Sequence, residues 1–247
     1  MTDFSSMSDD FYINMNLNTE MNLPTSRETV LHYFEQIQKR YPTMRNFYSR
    51  EGSEFVLEED KDQGNYRWSS VEEKRVISGY VNPESSEAAF EQHMFALDLV
   101  PYSLSISPLD CESLNLMYGF DFTYRGNHNQ IVNQALGMPA AFEKLADAEG
   151  TRVISNEPAI QIALDEDCRT QCRLSIETRT TAYHVRTGEF PEEQLSVYLT
   201  VRKYGSLDAN TTFTEALSEL RVEAKRLLDD YVIENILEPL KQTIALQ

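Results

Sequence analysis

The sequence predicts an α+β chain: curved antiparallel sheet with helices packed on one face. Three observations point there. Residues 11–21 and 114–125 alternate apolar and polar side chains, the period of a strand with one buried face. Each stretch is followed by an apolar stripe at helical spacing and then by short strand-like segments joined by turns. Only 9 glycines occur in 247 residues, which argues against a Gly-rich phosphate loop and against a turn-dense sandwich.

Residues 1–10 lack periodicity and read as a disordered tail. In FYINMNLNTEM, Ile13, Met15 and Leu17 alternate with Asn14, Asn16 and Asn18. Thr25 and Glu28 form a capping box. Val30, Phe34, Ile37 and Tyr41 then stripe a helix that Pro42 ends. MRNFYSREGSEFVLEED reads as two strands around Glu51-Gly52. GNYRWSS and KRVISGYV add strands on either side of VEEK. Asn82 as N-cap, with Pro83 at the first helical position, opens a second helix. Ala89, Phe90, His93, Met94 and Leu97 line one face of it. YSLSISPLD reads as a short strand.

The theme returns at Leu114. Leu114, Leu116, Tyr118, Phe120, Phe122 and Tyr124 alternate with Asn115, Met117, Gly119, Asp121, Thr123 and Arg125. Gly126-Asn127 turns the chain into a helix, Gly137 and Pro139 interrupt it, and PAAFEKLADAEG forms a separate helix. AIQIALDED, CRLSIETRTTAYHVRTG and EEQLSVYLTVRKYG read as three strands. Thr212 and Glu215 cap a long last helix striped by Leu217, Leu220, Ala224, Leu227 and Tyr231, and Pro239 should kink or end it.

Laid side by side, 11–108 and 109–247 both read strand, helix or helices, strands, helix. The order carries the match, and residue identity hardly does. A duplicated unit is one account, and ordinary α+β grammar is the other. The two halves form two lobes or one continuous domain. In order of elements the chain resembles the helix-grip and TATA-binding-protein-like folds, on topology and no motif. Such likeness implies little about function.

Composition excludes more than it assigns. The net charge is −18, with 22 Lys and Arg against 40 Asp and Glu. A nucleic-acid binder needs cations to displace counterions, so no nucleic-acid partner is expected. The same field opposes anionic lipid, and no run of 18 apolar residues offers a membrane span. Three cysteines and an acidic, polar start predict a cytoplasmic protein. Dinucleotide and phosphate-loop fingerprints, H-E-x-x-H and G-x-S-x-G are all absent. No cofactor is expected, and the chain reads as non-catalytic.

Several clusters carry residue types that could do chemistry. Glu28, His32 and Glu35 share a helix face, but one turned away from the apolar stripe. Cys168 and Cys172 lack the second pair a zinc site wants. Asp165, Glu166 and Asp167 lack the spacing of a calcium loop. His93 sits on an apolar helix face, where a satisfied core histidine is the simpler reading. In CRLSIETRTTAYHVR the inward parity starts Cys172, Leu174, Ile176 and then turns polar through Thr178, Thr180, His184 and Arg186. Either the strand leaves the core there, or the sheet opens into a polar cleft lined by those four residues. Past Tyr231 the last helix keeps Ile233, Ile236, Leu237, Leu240 and Ile244, a wide apolar surface that predicts self-association or a protein partner. The functional expectation is a non-catalytic binding or protein-interaction module, with a small molecule bound, with or without catalysis, in a cavity between sheet and helix as the alternative.

Overall fold

The structure, a computed structural model, describes residues 4–24, 26–50, 54–208 and 210–247. Nine strands run through it: β1 (Asp10–Thr19), β2 (Asn46–Arg50), β3 (Glu54–Glu58), β4 (Tyr66–Val71), β5 (Arg75–Val81), β6 (Cys111–Arg125), β7 (Ala159–Ala163), β8 (Thr170–Glu177) and β9 (Glu192–Tyr204). They form a single antiparallel sheet in the order β2-β3-β4-β5-β1-β6-β9-β8-β7. β5 returns to pair with β1, and β9 returns to pair with β6. β1 and β6 lie side by side at the centre, with Leu17 opposite Leu114 and Ile13 opposite Tyr118.

The alternation in these two strands sets the layers. Phe11, Ile13, Met15 and Leu17 of β1 are buried, as are Leu114, Leu116, Tyr118, Phe120 and Phe122 of β6. Directly opposite residues of an antiparallel pair point to the same face, so these side chains make one continuous apolar floor. On it pack α2 (Ser86–Ser103) and α6 (Phe213–Leu227), through Ala89, Leu97, Phe213, Leu217 and Leu220. α1 (Arg27–Arg40) joins them, burying Val30, Tyr33, Phe34 and Ile37, and its Tyr33 hydroxyl donates to the Ala96 carbonyl at 3.3 Å. Each such aliphatic burial contributes roughly 1.5–3 kcal/mol. Tyr33, Met44, Leu97, Phe120 and Phe213 fill the layer between sheet and helices.

Helix ends follow their caps. Ser26 Oγ accepts from the Thr29 N–H at 3.2 Å; the expected cap Thr25 lies outside the described residues, as does the Glu51-Gly52 turn. Thr212 Oγ1 accepts from the Glu215 N–H at 3.1 Å, and Glu215 Oε2 accepts from the Thr212 N–H at 2.8 Å. α3 (His128–Leu136) starts after Asn127 and stops at Gly137, whose φ of 76° suits only glycine without strain. α4 (Ala140–Ala146) is the separate short helix that the sequence predicts.

Several expectations need correction. The tail is placed from Phe4 onward: Phe4 is buried, its ring 5.7 Å from that of Phe11, while residues 1–3 lie outside the described residues. Asn82 does not cap α2. It takes a left-handed φ of 46° and closes the end of β1, its Oδ1 accepting from the Phe11 N–H at 2.9 Å. Ser85 caps the helix instead. YSLSISPLD is not a strand, because α2 runs on through Pro101 to Ser103 on the buried side chains Val100 and Leu104. The polar half of the 172–186 stretch also leaves the sheet. β8 ends at Glu177, and Thr181 caps α5 (Ala182–Thr187), its hydroxyl diverted to the His184 N–H at 3.4 Å.

The last helix does not stop at Pro239. α6 widens into a π-helical stretch, Leu228–Leu237, and continues as α7 (Glu238–Ala245). The wider turns carry the Glu238 N–H to the Ile233 carbonyl and leave Pro239 in the first turn of α7, where a missing N–H is harmless. α7 packs against α3. Leu237 and Leu240 are fully buried there, while Ile233, Ile236 and Ile244 are half-buried against the core. Of the residues expected to serve association, Leu237 and Leu240 are thus consumed inside the chain, while Ile233, Ile236 and Ile244 keep part of their surface.

Candidate functional site

Parity places the other half of β1 on the face away from α2 and α6. Tyr12, Asn14, Asn16 and Asn18 are half-exposed there. Register carries that face across the sheet. Tyr12 lies opposite Val81 and Gly119, Asn14 opposite Gly79 and Met117, and Asn16 opposite Asn115. Further out come Tyr66 and Trp68 on β4 and Ser196, Tyr198 and Arg202 on β9. The face is concave. A cleft of about 540 Å³ opens on it, lined among others by Asp10, Tyr12, Asn14, Trp68 and Asp121. Its lining reaches from Arg50 on β2 to Gln194 on β9, so the curve of the sheet makes it.

Two glycines let aromatic rings lie flat on this face. A Cβ at Gly119 would overlap the Tyr12 ring, and one at Gly79 would overlap the Trp68 indole. The rings form part of the cleft wall.

Polar side chains in the centre of the face lack partners. Among the described residues, the buried Oδ1 atoms of Asn14, Asn16 and Asn115 accept no hydrogen bond. Ser70 Oγ and Arg202 Nε, on the same face, are also unpaired. A buried polar group left unsatisfied costs about 1–3 kcal/mol. Asn14 and Asn16 stand two residues apart on β1 and Asn115 lies opposite Asn16 on β6, so the three buried acceptors are neighbours on this face.

The charges are uneven. Lys61 pairs with Glu58 at 3.0 Å and Arg50 with Glu54 at 3.2 Å. Asp10 and Asp121 lie directly opposite each other on β1 and β6, where like charges repel. Asp121 is pushed above the usual carboxylate range, chiefly by burial; hydrogen bonds from Ser196 and Tyr12 oppose this, and Asp10 adds to it. The Tyr12 hydroxyl donates to Asp121 Oδ1 at 3.4 Å, and burial keeps that phenol protonated well above its ordinary range. Asp10 Oδ1 accepts from Asn82 Nδ2 at 2.7 Å. The cleft therefore offers carboxylates and amide acceptors beside aromatic faces.

The residues expected from the sequence are placed elsewhere. Thr178 is buried, with its N–H and hydroxyl both donating to Glu157 Oε1, at 2.8 and 3.0 Å. Thr180 Oγ1 accepts from the His128 N–H at 3.0 Å. Thr180 ties the chain after β8 to α3, and Thr178 ties it to the segment before β7. His184 and Arg186 sit on α5, with the Arg186 guanidinium 5.6 Å from the Tyr183 ring centre. Of the four, His184 borders a surface depression of about 800 Å³ with Tyr183 and Phe190. The four do not converge.

Other candidates are explained by packing. His93 is fully buried, its Nδ1 2.9 Å from Ser78 Oγ, and burial pushes its pKa down to about 3. Burial pushes the Cys111 thiol up to about 12 and Cys172 up to about 11. Glu28, His32 and Glu35 are exposed on α1. Among the described residues no three His, Cys, Asp or Glu side chains cluster as metal ligands, and no helix is long and apolar enough to cross a membrane.

Sequence reasoning missed Tyr12, Trp68, Asn115 and the Asp10–Asp121 pair as site residues. One signal was available. Asn is depleted in strands, yet β1 places it at three alternate positions.

Fold and face together define an α+β protein with one open, concave sheet surface. No family model matches the chain, and no curated protein matches it.

Proposed function

We propose that this chain is a non-catalytic binding module whose ligand surface is the concave, helix-free face, and that the occupant is a basic segment of a protein partner. One observation carries this reading: the row of unpaired Asn14, Asn16 and Asn115 oxygens beside a cleft that also holds Asp10, Asp121, Tyr12 and Trp68. Acceptors without donors call for a ligand rich in N–H groups. A cation brought between Asp10 and Asp121 relieves their repulsion, and aromatic faces attract cations as well. The net charge of −18 steers a basic partner inward and turns nucleic acid away. The open face is favoured over a small-molecule cavity between sheet and helices because large side chains occupy that interior.

The finer fold reading is proposed on similar terms. A duplicated strand-helix-strands-helix unit of TATA-binding-protein-like topology accounts for β1 and β6 meeting at the centre and for β5 and β9 each returning to its own first strand.

Trp68 is the chain's single tryptophan and lines the cleft, so its fluorescence reports occupancy. Titration with a Lys/Arg-rich peptide should shift its emission saturably. The shift should vanish in an Asp10→Asn, Asp121→Asn double variant, which leaves most of the acidic charge in place. An unchanged response in the double variant would reduce the effect to non-specific charge attraction and defeat the proposal. Equal binding of spermidine would reassign the face to small polyamines.

A further inference from the structure

The sheet has two edges, and they are built differently. β2 carries Arg50 and follows Arg45, the kind of charge that discourages pairing with another chain. β7 has no charge and no proline. Its five residues, Ala159-Ile160-Gln161-Ile162-Ala163, are all exposed, with Ile160 at 59% and Ile162 at 41%. Both isoleucines share the face of Leu174 and Cys172 on β8, but they lie beyond the cover of α6.

The free hydrogen-bonding groups can be identified. The Leu164 N–H donates to the Thr170 carbonyl at 2.8 Å, and the Ile176 N–H to the Pro158 carbonyl at 3.0 Å. Bonded and non-bonded pairs alternate along an antiparallel ladder. Ile160 and Ile162 therefore exchange their bonds with β8, while Ala159, Gln161 and Ala163 turn N–H and C=O to the open edge. Those three positions are evenly spaced about Gln161.

The sequence of β7 reads the same in both directions. Two copies related by a twofold axis through Gln161 would pair antiparallel with every residue matched. Gln161 would face Gln161 of the second copy, and Ala159 would face Ala163. Ile160 would meet Ile162 in the closer, non-bonded pairs. A twofold contact must be complementary to itself, and this strand is complementary in hydrogen bonding, side-chain size and charge alike. A strand of different sequence would satisfy the backbone but lacks this residue-by-residue match.

We propose that β7 is a homodimerisation edge, joining two copies of this chain through antiparallel pairing centred on Gln161. The net charge of −18 per chain opposes the encounter, and salt screens it over about 8 Å at physiological ionic strength. Dimerisation should therefore tighten as salt rises, the opposite of an ion-paired interface.

The test is analytical ultracentrifugation of the whole chain and of two variants at the exposed centre of the strand. The wild type should be a concentration-dependent dimer, favoured at high salt. Gln161→Lys and Gln161→Glu each set like charges face to face, and each should weaken the dimer at least about tenfold with an unchanged circular dichroism spectrum. Mixed in equal amounts, the two variants should restore it, because Lys then faces Glu. A wild type that stays monomeric at every concentration and salt overturns the proposal and leaves the edge to some other chain. A dimer indifferent to both substitutions also overturns it, since the interface then lies elsewhere.

Discussion

One strand serves two surfaces. On the side of the helices β1 shows Phe11, Ile13, Met15 and Leu17; on the concave side it shows Tyr12, Asn14, Asn16 and Asn18. The first set is packed by α2 and α6 and leaves no polar group to satisfy. The second leaves Asn14 and Asn16 with buried oxygens that accept nothing, next to Asn115 on β6. Burial stabilises one face, and the other retains groups that cost stability. Unpaired buried polar atoms also occur on the helix side, at Arg67, Gln92 and His93, but on the helix-free face three amides gather around one strand pair, beside an open cleft.

Substitutions on the two faces should therefore act with opposite sign. The largest effect is expected on the packed side. Phe120→Ala removes a ring that is fully buried and should cost about 3–5 kcal/mol in urea unfolding. A cost below about 1 kcal/mol would mean that this layer is not the core.

Acid should act through the same layer. His93 is held neutral in the fold, with its pKa pushed down to about 3 by burial, whereas the unfolded histidine titrates near about 6.5. As pH falls below about 6.5 the unfolded state takes up a proton that the folded state refuses, so stability drops. At about 1.4 kcal/mol per pH unit the loss reaches about 2 kcal/mol by pH 5, above most of the carboxylate range. His128, also lowered chiefly by burial, adds in the same direction. Unfolding measured at pH 7 and pH 5 should show this slope, and His93→Gln should flatten it.

The concave side should answer in reverse. Asn115→Leu removes an unpaired buried oxygen and should raise stability by about 1 kcal/mol, while weakening peptide binding at Trp68. Asp121→Asn should stabilise less, by up to about 0.5 kcal/mol, through relief of the opposed Asp10. Because burial raises the Asp121 pKa, the charged form is the disfavoured one. The gain should be present at neutral pH and vanish as pH falls through the folded pKa and the carboxylate protonates. If either substitution destabilised the protein, the open face would be a structural surface with partners of its own.

Much of this organisation can be read from residue patterns. Period two gave β1 and β6 their buried sides, and the cap at Thr212 gave the start of α6, because those signals are local. Other elements turned on competition between distant groups. Asn82 looked like a helix cap and instead closes β1, since its amide reaches Phe11 and Asp10 across the sheet. The polar residues after Ile176 left two readings open, a strand leaving the core or one wall of a cleft. Thr181 ends that run by capping a helix, and Thr178 turns to Glu157.

What the sequence by itself determined is which side chains share a face of a strand or a helix, because the backbone repeats every 2.0 or 3.6 residues whatever surrounds it. It did not determine which strands are neighbours. Only the tertiary structure set Asp10 against Asp121 and Asn16 against Asn115, and only the curvature of nine strands laid Tyr12 and Trp68 along one cleft. It likewise packed α7 against α3, turning Leu237 and Leu240 into core. A candidate site assembled from seven strands depends on register and curvature, and these arise from contacts far apart in the chain.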